Sequence, residues 1–360
     1  LAAAQFLGSA IDRTRLLTFD MGGTSTDVAM IDGVLKLTSE GKIAGYPVAV
    51  PMVDMHTIGA GGGSIAYVDS GGMLQVGPES AGAAPGPACY NQGGKRPTVT
   101  DANLLLGRLR PDAFLGGKMP LHESAAYHAM QSVAKPLGLS VEQAAEGVVR
   151  IANEHMAHAL RVMSVQRGID PRGLTLVSFG GAGGLHVCAL AEALSMQQAM
   201  VPVHAGVLSA LGMLVAPRSR QLSRTHIARL MNMAHEQIEA VYAELEAKGR
   251  QELIAEGVAK AEIEIQRSLD LRYEGQSYYL NLPWNDLKSC EAAFHRLHAE
   301  RYGHELDLPV ELVNLRVGLV LRPTPLTLTS LPAGPASVPY DQVSLYGLEQ
   351  SAAVYARDGL

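Results

Sequence analysis

The residues best suited to chemistry lie in a short loop near the start of the sequence. The run FDMGGTSTDV places Asp20 at the end of an apolar stretch and Asp27 after two glycines and three hydroxyl residues. Glycine lets backbone N–H groups approach a phosphate closely, and carboxylates suit Mg²⁺. We predict a phosphate site, with Asp20 as the metal ligand and Asp27 orienting a water or binding metal; a plain hairpin turn is the alternative. The predicted phosphate-binding residues are Gly22, Gly23, Thr24 and Thr26.

A second glycine cluster, SFGGAGGLH, lies between an apolar run at 174–179 and a helical pattern at 185–194. Bare backbone at a strand-to-helix turn can receive a nucleotide's adenosine, and the helix N-terminus favours polar groups. The GGxGG spacing, with no acidic residue at the next strand end, differs from a dinucleotide fingerprint. His186 either lines this pocket or is internally satisfied. The predicted adenosine-binding residues are Gly180, Gly181, Gly183 and Gly184.

A third cluster, VDMHTIGAGGGS, holds Asp54 and His56 two residues apart, on one side of the chain if this stretch is extended. They are candidates for a metal site or an acid–base pair, although a local hydrogen-bonded pair explains them equally well. The glycines that follow predict a loop facing a polyphosphate or a substrate, with a structural turn as the alternative. The residues of this loop are Gly61, Gly62, Gly63 and Ser64. Cys89 has no evident base nearby, which argues against a nucleophile.

The elements around these clusters follow from the residue pattern. We predict strands at Arg15–Asp20 and Asp27–Ile31, then a turn at Asp32 and Gly33 into a strand at 34–38. The stretch from 53 to 101 is rich in glycine and proline and is predicted to be mostly loop, of the kind that forms binding surfaces.

Further along, Ser140 and Gln143 form a capping-box pattern that predicts a helix with one apolar stripe. The stripe consists of Val141, Ala145, Val148, Ala152, Met156, Ala159 and Met163. A strand at 174–179, a helix at 185–194 and a strand at 199–203 then give the order βαβ. This order implies parallel strands and an α/β fold class.

A second unit is indicated after Pro217, where a long charged helix ends near Gly257. Alternating apolar residues then predict a hairpin, followed by a helix at 286–302 and a strand at 313–321, a β-β-α-β pattern. The predicted regions are an α/β half with the phosphate and adenosine loops at 1–217, an α+β subdomain at 218–325, and, at 326–360, a tail or the start of a truncated C-terminal region.

Composition excludes several classes of function. The 360 residues carry a net charge of -6 without a basic run, which argues against nucleic acid as a partner. The three cysteines are odd in number and far apart, so we expect free thiols and a cytoplasmic location. The most apolar stretch, 199–216, is interrupted by Pro202, His204 and Gly206, so no membrane segment is predicted.

The three clusters, together with PTVTDANLLLGRL, GVLSALGM and DLRYEGQSYYLNLP, resemble the hydantoinase A/5-oxoprolinase family over roughly residues 15–325. The resemblance implies an actin/Hsp70-like (RNase H-like) ATPase core that binds ATP and Mg²⁺. It also implies two phosphate loops, of which this sequence shows only the one at Asp20–Asp27. We therefore expect this chain alone to bind ATP weakly, without turnover.

The family resemblance further implies the use of ATP to open cyclic amides such as hydantoins or 5-oxoproline, in an oligomer with a B-type subunit. Phosphoryl transfer to the amide oxygen would create an electrophile that water can attack. Two alternatives remain open. One is the ATP-using subunit of a ketone carboxylase similar to acetone carboxylase, and the other is an actin/Hsp70-like nucleotide switch without small-molecule chemistry.

Overall fold

The computed structural model describes residues 1–35, 37–38, 41–43, 46–48, 52–257, 263–321, 326 and 338–356. The chain divides into two compact units, one formed by Leu1–Leu214 with Leu328–Leu360 and the other by Val215–Thr327. In this division the C-terminal residues join the first unit, whereas the sequence pattern had set them apart as a tail.

The first unit is built on a mixed six-stranded sheet in the order β12-β11-β1-β2-β3, with β8 also pairing with β2. Strands β1, β11 and β12 are parallel, and β2 is antiparallel to β1. The strands up to β12 are β1 Arg15–Met21, β2 Thr26–Asp32, β3 Val34–Leu35, β4 Leu37–Thr38, β5 Gly41–Ile43, β6 Tyr46–Val48, β7 Met52–Val53, β8 Met55–Ile58, β9 Ser64–Val68, β10 Leu74–Ser80, β11 Thr175–Phe179 and β12 Gln198–Met200. The predicted parallel βαβ order is confirmed.

Helices cover both faces of this sheet. They are α1 Ala2–Ala10, α2 Val99–Leu105, α3 Glu123–Leu137, α4 Val141–Met163, α5 Val187–Ala193 and α6 Leu208–Val215. The capping box of Ser140 and Gln143 is present at the start of α4, and every residue of the predicted stripe is buried. On the opposite face, α1 and α6 pack with Leu16, Ile31 and Phe179 in a smaller apolar cluster.

Several elements of this unit were not predicted, among them a hairpin and a long helix. Strands β9 and β10 form an antiparallel hairpin inside the stretch assigned to loop, because the Asp69 carboxylate accepts hydrogen bonds from the N–H groups of Gly71 and Met73 and so stabilises the turn. Helix α3 was also missed; its buried face consists largely of alanine, which gives a weak apolar pattern. The loop prediction for 53–101 was therefore wrong over β9 and β10.

The second unit is a four-stranded antiparallel sheet in the order β13-β16-β14-β15 with two helices. Its elements are β13 Arg218–Arg229, α7 His235–Ala255, β14 Ile263–Tyr273, β15 Leu280–Pro283, α8 Leu287–Tyr302 and β16 Val310–Leu321. The predicted hairpin, both helices and the last strand are confirmed. Strand β13 was missed, since its residues are mostly basic or polar and none of them is buried.

The C-terminal residues return to the first unit. A short hairpin of β17 Asp341–Val343 and β18 Ala352–Val354 is tied to the segment after α2, where Arg110 forms an ion pair with Asp341 at 2.7 Å. The Tyr346 N–H also donates to the Leu106 carbonyl at 3.1 Å. None of the helices within the described ranges has the length and apolar character needed to cross a bilayer.

Candidate functional site

The phosphate loop predicted at Asp20–Asp27 connects β1 and β2. In the antiparallel register Asp20 lies opposite Asp27, and cross-strand partners lie on the same face of a sheet. The two carboxylates therefore share one face. Burial raises the pKa of Asp20, and the negative charge of Asp27 raises it further. Two like charges held this close favour a bound cation or a proton between them.

The glycine loop at 59–64, which we call the second loop, packs directly against the phosphate loop. The Gly62 N–H donates to the Gly22 carbonyl at 3.0 Å, and the Gly63 N–H donates to the Gly23 carbonyl at 2.6 Å. A side chain on Gly61 or Gly63 would overlap the backbone of the phosphate loop. Glycine is needed here because two stretches of backbone touch.

These bonds fix the direction of two free donors. In a trans peptide the C=O and the following N–H point in opposite directions. Because the carbonyls of Gly22 and Gly23 point toward the second loop, the N–H groups of Gly23 and Thr24 point away from it. Neither N–H has a partner among the described residues, and a Cβ on Gly23 would meet no atom within 4 Å. Adjacent free N–H groups of this kind bind anions.

The third loop, 180–184, approaches the same place because β1 and β11 are parallel neighbours, with Asp20 beside Phe179. The Ala182 N–H donates to the Met21 carbonyl at 3.0 Å. A side chain on Gly180, whose φ is +82°, would overlap the Asp20 carboxylate. The three predicted glycine loops thus meet at the carboxyl ends of β1 and β11, where ligands bind in open α/β sheets.

Two classes of glycine occur in these loops. A Cβ would collide with neighbouring atoms at the first class, whereas the second class faces open space or ordinary contact distances. The crowded glycines are Gly61, Gly62, Gly63, Gly180 and Gly183. The open glycines are Gly22, Gly23, Gly181 and Gly184. Open glycines can meet a ligand, whereas crowded ones hold the loops together.

Thr26 and Ser64, predicted to contact a ligand, instead support the second loop. The Thr26 hydroxyl donates to the Ala60 carbonyl at 2.5 Å, and the Ser64 hydroxyl accepts from the Gly61 N–H at 2.9 Å. Both side chains are buried. They therefore act through the loop, which corrects the sequence interpretation, while Thr24 is exposed on the phosphate loop.

Asp54 and His56 lie apart from this cluster. In the register of β2 and β8, Thr57 is opposite Asp27 and His56 is opposite Val28, so His56 is on the other face of the sheet from Asp20 and Asp27. The Thr57 hydroxyl donates to Asp27 at 2.6 Å. Asp54 forms a two-point ion pair with Arg167. No group of three or more metal-ligating side chains occurs in the part of the chain that the structure describes.

Two other reactive side chains, those of His186 and Cys89, are buried in the protein interior. His186 is fully buried, and its Nδ1 lies 2.6 Å from Oδ1 of Asn153 on α4. Burial, and then the positive charge of Arg108, lower the pKa of His186 to about 4, so this imidazole is neutral at pH 7. Burial and the nearby Asp101 carboxylate raise the pKa of the Cys89 thiol, which keeps it protonated and argues against a nucleophile.

Sequence reasoning missed the contribution of α2. Both the N–H and the hydroxyl of Thr100 donate to the Gly62 carbonyl, each at 2.8 Å. The capping pattern Thr98-x-x-Asp101 in PTVTDANLLLGRL could have placed a helix start here. It could not have shown which loop the helix contacts.

Comparison with known proteins gives consistent results. Residues 1–221 match the family described as hydantoinase/oxoprolinase. The alpha subunit of a caprolactamase from Pseudomonas jessenii is 39% identical over 342 residues, which cover 89% of this chain and 49% of the relative. A 5-oxoprolinase from Dictyostelium discoideum is 33% identical over 329 residues, or 85% of this chain and 26% of the relative.

Two solved structures share the fold. The ATP-dependent caprolactamase of Pseudomonas jessenii superimposes with a TM-score of 0.77 at 36% identity, covering 99% of this chain and 55% of that chain. Acetone carboxylase in its nucleotide-free form gives a TM-score of 0.81 at 24% identity, covering 98% and 54%. The chain spans about half the length of these two structures.

Proposed function

The chain belongs to the hydantoinase/oxoprolinase family, and we propose that it carries the ATP site of an enzyme that opens cyclic amides. The observation that supports this most is the meeting of the three glycine loops beside the paired carboxylates of Asp20 and Asp27. Free N–H donors and carboxylates near the carboxyl ends of neighbouring strands suit a nucleotide polyphosphate with its cation. The mixed sheet, with three parallel strands and an antiparallel side, fits the RNase H-like core that we propose.

The phosphates would lie on the N–H groups of Gly23 and Thr24. The adenosine would lie toward Gly181 and Gly184, which leave room for it. The caprolactamase of Pseudomonas jessenii depends on ATP, and the transfer of that dependence to this chain is part of the proposal.

A magnesium ion fits the acidic pair. Within the described residues no group donates a hydrogen bond to the Asp20 carboxylate, and burial together with the charge of Asp27 raises the pKa of this carboxylate. Mg²⁺ is typically held by one or two carboxylates together with phosphates and water. Asp20 would hold the ion, with Asp27 oriented by Thr57. A bound ion would supply positive charge to the phosphates.

The proposed reaction transfers the γ-phosphoryl group of ATP to the amide oxygen, releasing ADP. The amide carbon becomes a better electrophile and water attacks it; the ring C–N bond then breaks as the nitrogen takes a proton from that water. A second water hydrolyses the resulting acyl phosphate to the carboxylate and inorganic phosphate. This chain would contribute by positioning and by electrostatics. The outward N–H groups would orient the phosphates, and the Asp20 carboxylate would hold the cation that neutralises part of their charge. His56 lies on the face of the sheet away from Asp20, and Asp54 is paired with Arg167. The acid–base role of these two residues remains a prediction.

Two alternatives use the same loops. A ketone-carboxylase subunit would share the nucleotide site, but the likeness to acetone carboxylase at 24% identity shows the fold alone. A nucleotide switch would bind ATP without a small-molecule substrate. We also propose a B-type partner subunit in an oligomeric assembly, since the caprolactamase relative is named as a subunit alpha, and we retain the cytoplasmic location as a prediction.

The test is to purify the complete protein containing this chain with its partner subunit and measure ADP formation with candidate substrates. We expect caprolactam, hydantoin or 5-oxoproline to stimulate ADP formation and to yield the ring-opened product. Stimulation only by a ketone with bicarbonate would favour the carboxylase. ATP binding without stimulation by either class would favour the switch.

A further inference from the structure

The first turn of α2 is joined to the phosphate loop through one glycine. Thr100 donates twice to the Gly62 carbonyl, from its N–H and from its hydroxyl, at 2.8 Å each. The N–H of the same glycine donates to the Gly22 carbonyl at 3.0 Å. Any displacement of Gly62 therefore moves the N–H donor that fixes the peptide plane between Gly22 and Gly23.

The turn that carries Thr100 is itself firmly held. The fully buried Asp101 carboxylate accepts from the N–H groups of Ala88 at 3.2 Å, Cys89 at 2.7 Å and Thr98 at 2.9 Å, and from the Thr98 hydroxyl at 2.8 Å. A carboxylate with this many donors anchors two segments of chain at once. The backbone that carries Thr100 is therefore held in place.

The Thr100 hydroxyl is not needed to cap the helix. Thr98 and Asp101 already form the complete capping box of α2. The hydroxyl instead adds a second donor to a carbonyl that the Thr100 N–H already bonds. Two donors on the two lone pairs of one carbonyl oxygen restrict its direction more than one donor does.

We propose that Thr100 is a positioning residue for the phosphate loop. Its hydroxyl holds the Gly62 carbonyl and so the peptide between Gly62 and Gly63. The N–H groups of these two glycines hold the carbonyls of Gly22 and Gly23, and the N–H groups of Gly23 and Thr24 point outward as a consequence. The expected effect on nucleotide binding rests on the proposed function, whereas the expected effect on hydrogen exchange in the ligand-free loops does not.

Three variants separate this role from general stability. Thr100→Val removes the hydroxyl with little change in shape, and Thr100→Ser keeps it. The matched control is Thr18→Val, because Thr18 is also buried and its hydroxyl donates to a backbone carbonyl, that of Ala29, at 3.1 Å. Thr18 makes this bond within the sheet, away from the second loop.

The first measurement is hydrogen exchange of the ligand-free chain in peptides containing Gly62 and Gly63, whose N–H groups bond to the phosphate loop. We expect Thr100→Val to speed exchange there by about fivefold, the loss of one ordinary hydrogen bond, and Thr100→Ser to restore it. Thr18→Val should leave these peptides unchanged. Unchanged exchange in Thr100→Val overturns the inference, as does equal acceleration in Thr18→Val.

The second measurement is the dissociation constant of Mg-ATP by calorimetry, using millimolar nucleotide. Thr100→Val should weaken binding by about fivefold, with rescue by serine and no change in Thr18→Val. Faster exchange with unaltered affinity would overturn the link from Thr100 to the nucleotide. Absence of Mg-ATP binding by the wild-type chain counts against the proposed function, and the exchange result then decides the positioning role.

Discussion

Asp20 is the residue at which the requirements of function and of stability differ most clearly. Its carboxylate is partly buried, lies opposite Asp27 and is packed against Gly180. Because burial and the charge of Asp27 raise its pKa in the folded chain above the reference value of 3.8, the folded state binds the proton more tightly than the unfolded state does. Stability therefore falls as pH rises from about 4 through the raised pKa.

The first prediction is that Asp20→Asn leaves the folded chain as stable as the wild type, or more stable, at pH 7. The substitution removes a charge that the folded state disfavours, so the melting temperature should not fall, and the difference should shrink below pH 4. The same variant should lose Mg-dependent ATP binding, because Asp20 is the proposed ion ligand. A lower melting temperature with intact Mg-ATP binding would contradict both assignments.

Some residue roles could be predicted from the sequence and others could not. The Asp20–Asp27 pairing follows from a strand, a short loop and a strand of matching length. The inward direction of the Thr26 hydroxyl does not, because its acceptor, the Ala60 carbonyl, is more than thirty residues away in sequence. The direction of the Ser64 hydroxyl depends on how the second loop folds around Gly61. His56 was grouped with Asp54 from spacing alone, and the strand register placed it on the face away from Asp20.

At the scale of elements, the packing of the three loops depends on which of their glycines leave no room for a side chain. Gly180 has φ +82° and lies against the Asp20 carboxylate and the Met21 backbone, whereas Gly23 has open space around it. Sequence shows both simply as glycine. The difference appears only when the loops are packed together.

The second prediction contrasts these two positions. Gly180→Ala should lower the stability of the chain by about 2 kcal/mol or more, from backbone strain and overlap. Gly23→Ala should leave stability within about 0.5 kcal/mol, because the added methyl meets no atom, yet weaken Mg-ATP binding by crowding the ligand. Urea unfolding and calorimetry measure the two effects. Equal loss of stability in both variants would show that Gly23 is also packed.

Elements with strong local signals were predicted well. Helix α4 has a capping box and a long apolar stripe, and the β11–α5–β12 order gave the parallel strands. Strand β13 has no buried residue, and the turn of the β9–β10 hairpin is held by the Asp69 side chain together with backbone hydrogen bonds. Such elements depend on tertiary pairing or on local turn bonds, which residue periodicity does not report.

For the whole chain, the topology of the first unit joins three loops that are far apart in sequence, at 20–27, 59–64 and 180–184. Parallel pairing of β1 with β11 brings the first and third together, and the backbone bonds of Gly62 and Gly63 add the second. The family could be recognised from motifs. Which loop residues can meet a ligand and which hold the loops together became clear only from the packing of the loops. The β-β-α-β pattern predicted for the second unit was incomplete for lack of β13.

The central claim is that a nucleotide's phosphates bind where these three loops meet. The most direct test is hydrogen exchange across the 360-residue chain with and without millimolar Mg-ATP, with Asp20→Asn as the control. We predict slower exchange in peptides covering 20–27 and 180–184 and no change in β13–β16, with the protection lost in Asp20→Asn. Protection confined to other peptides, or equal protection in Asp20→Asn, would contradict the account.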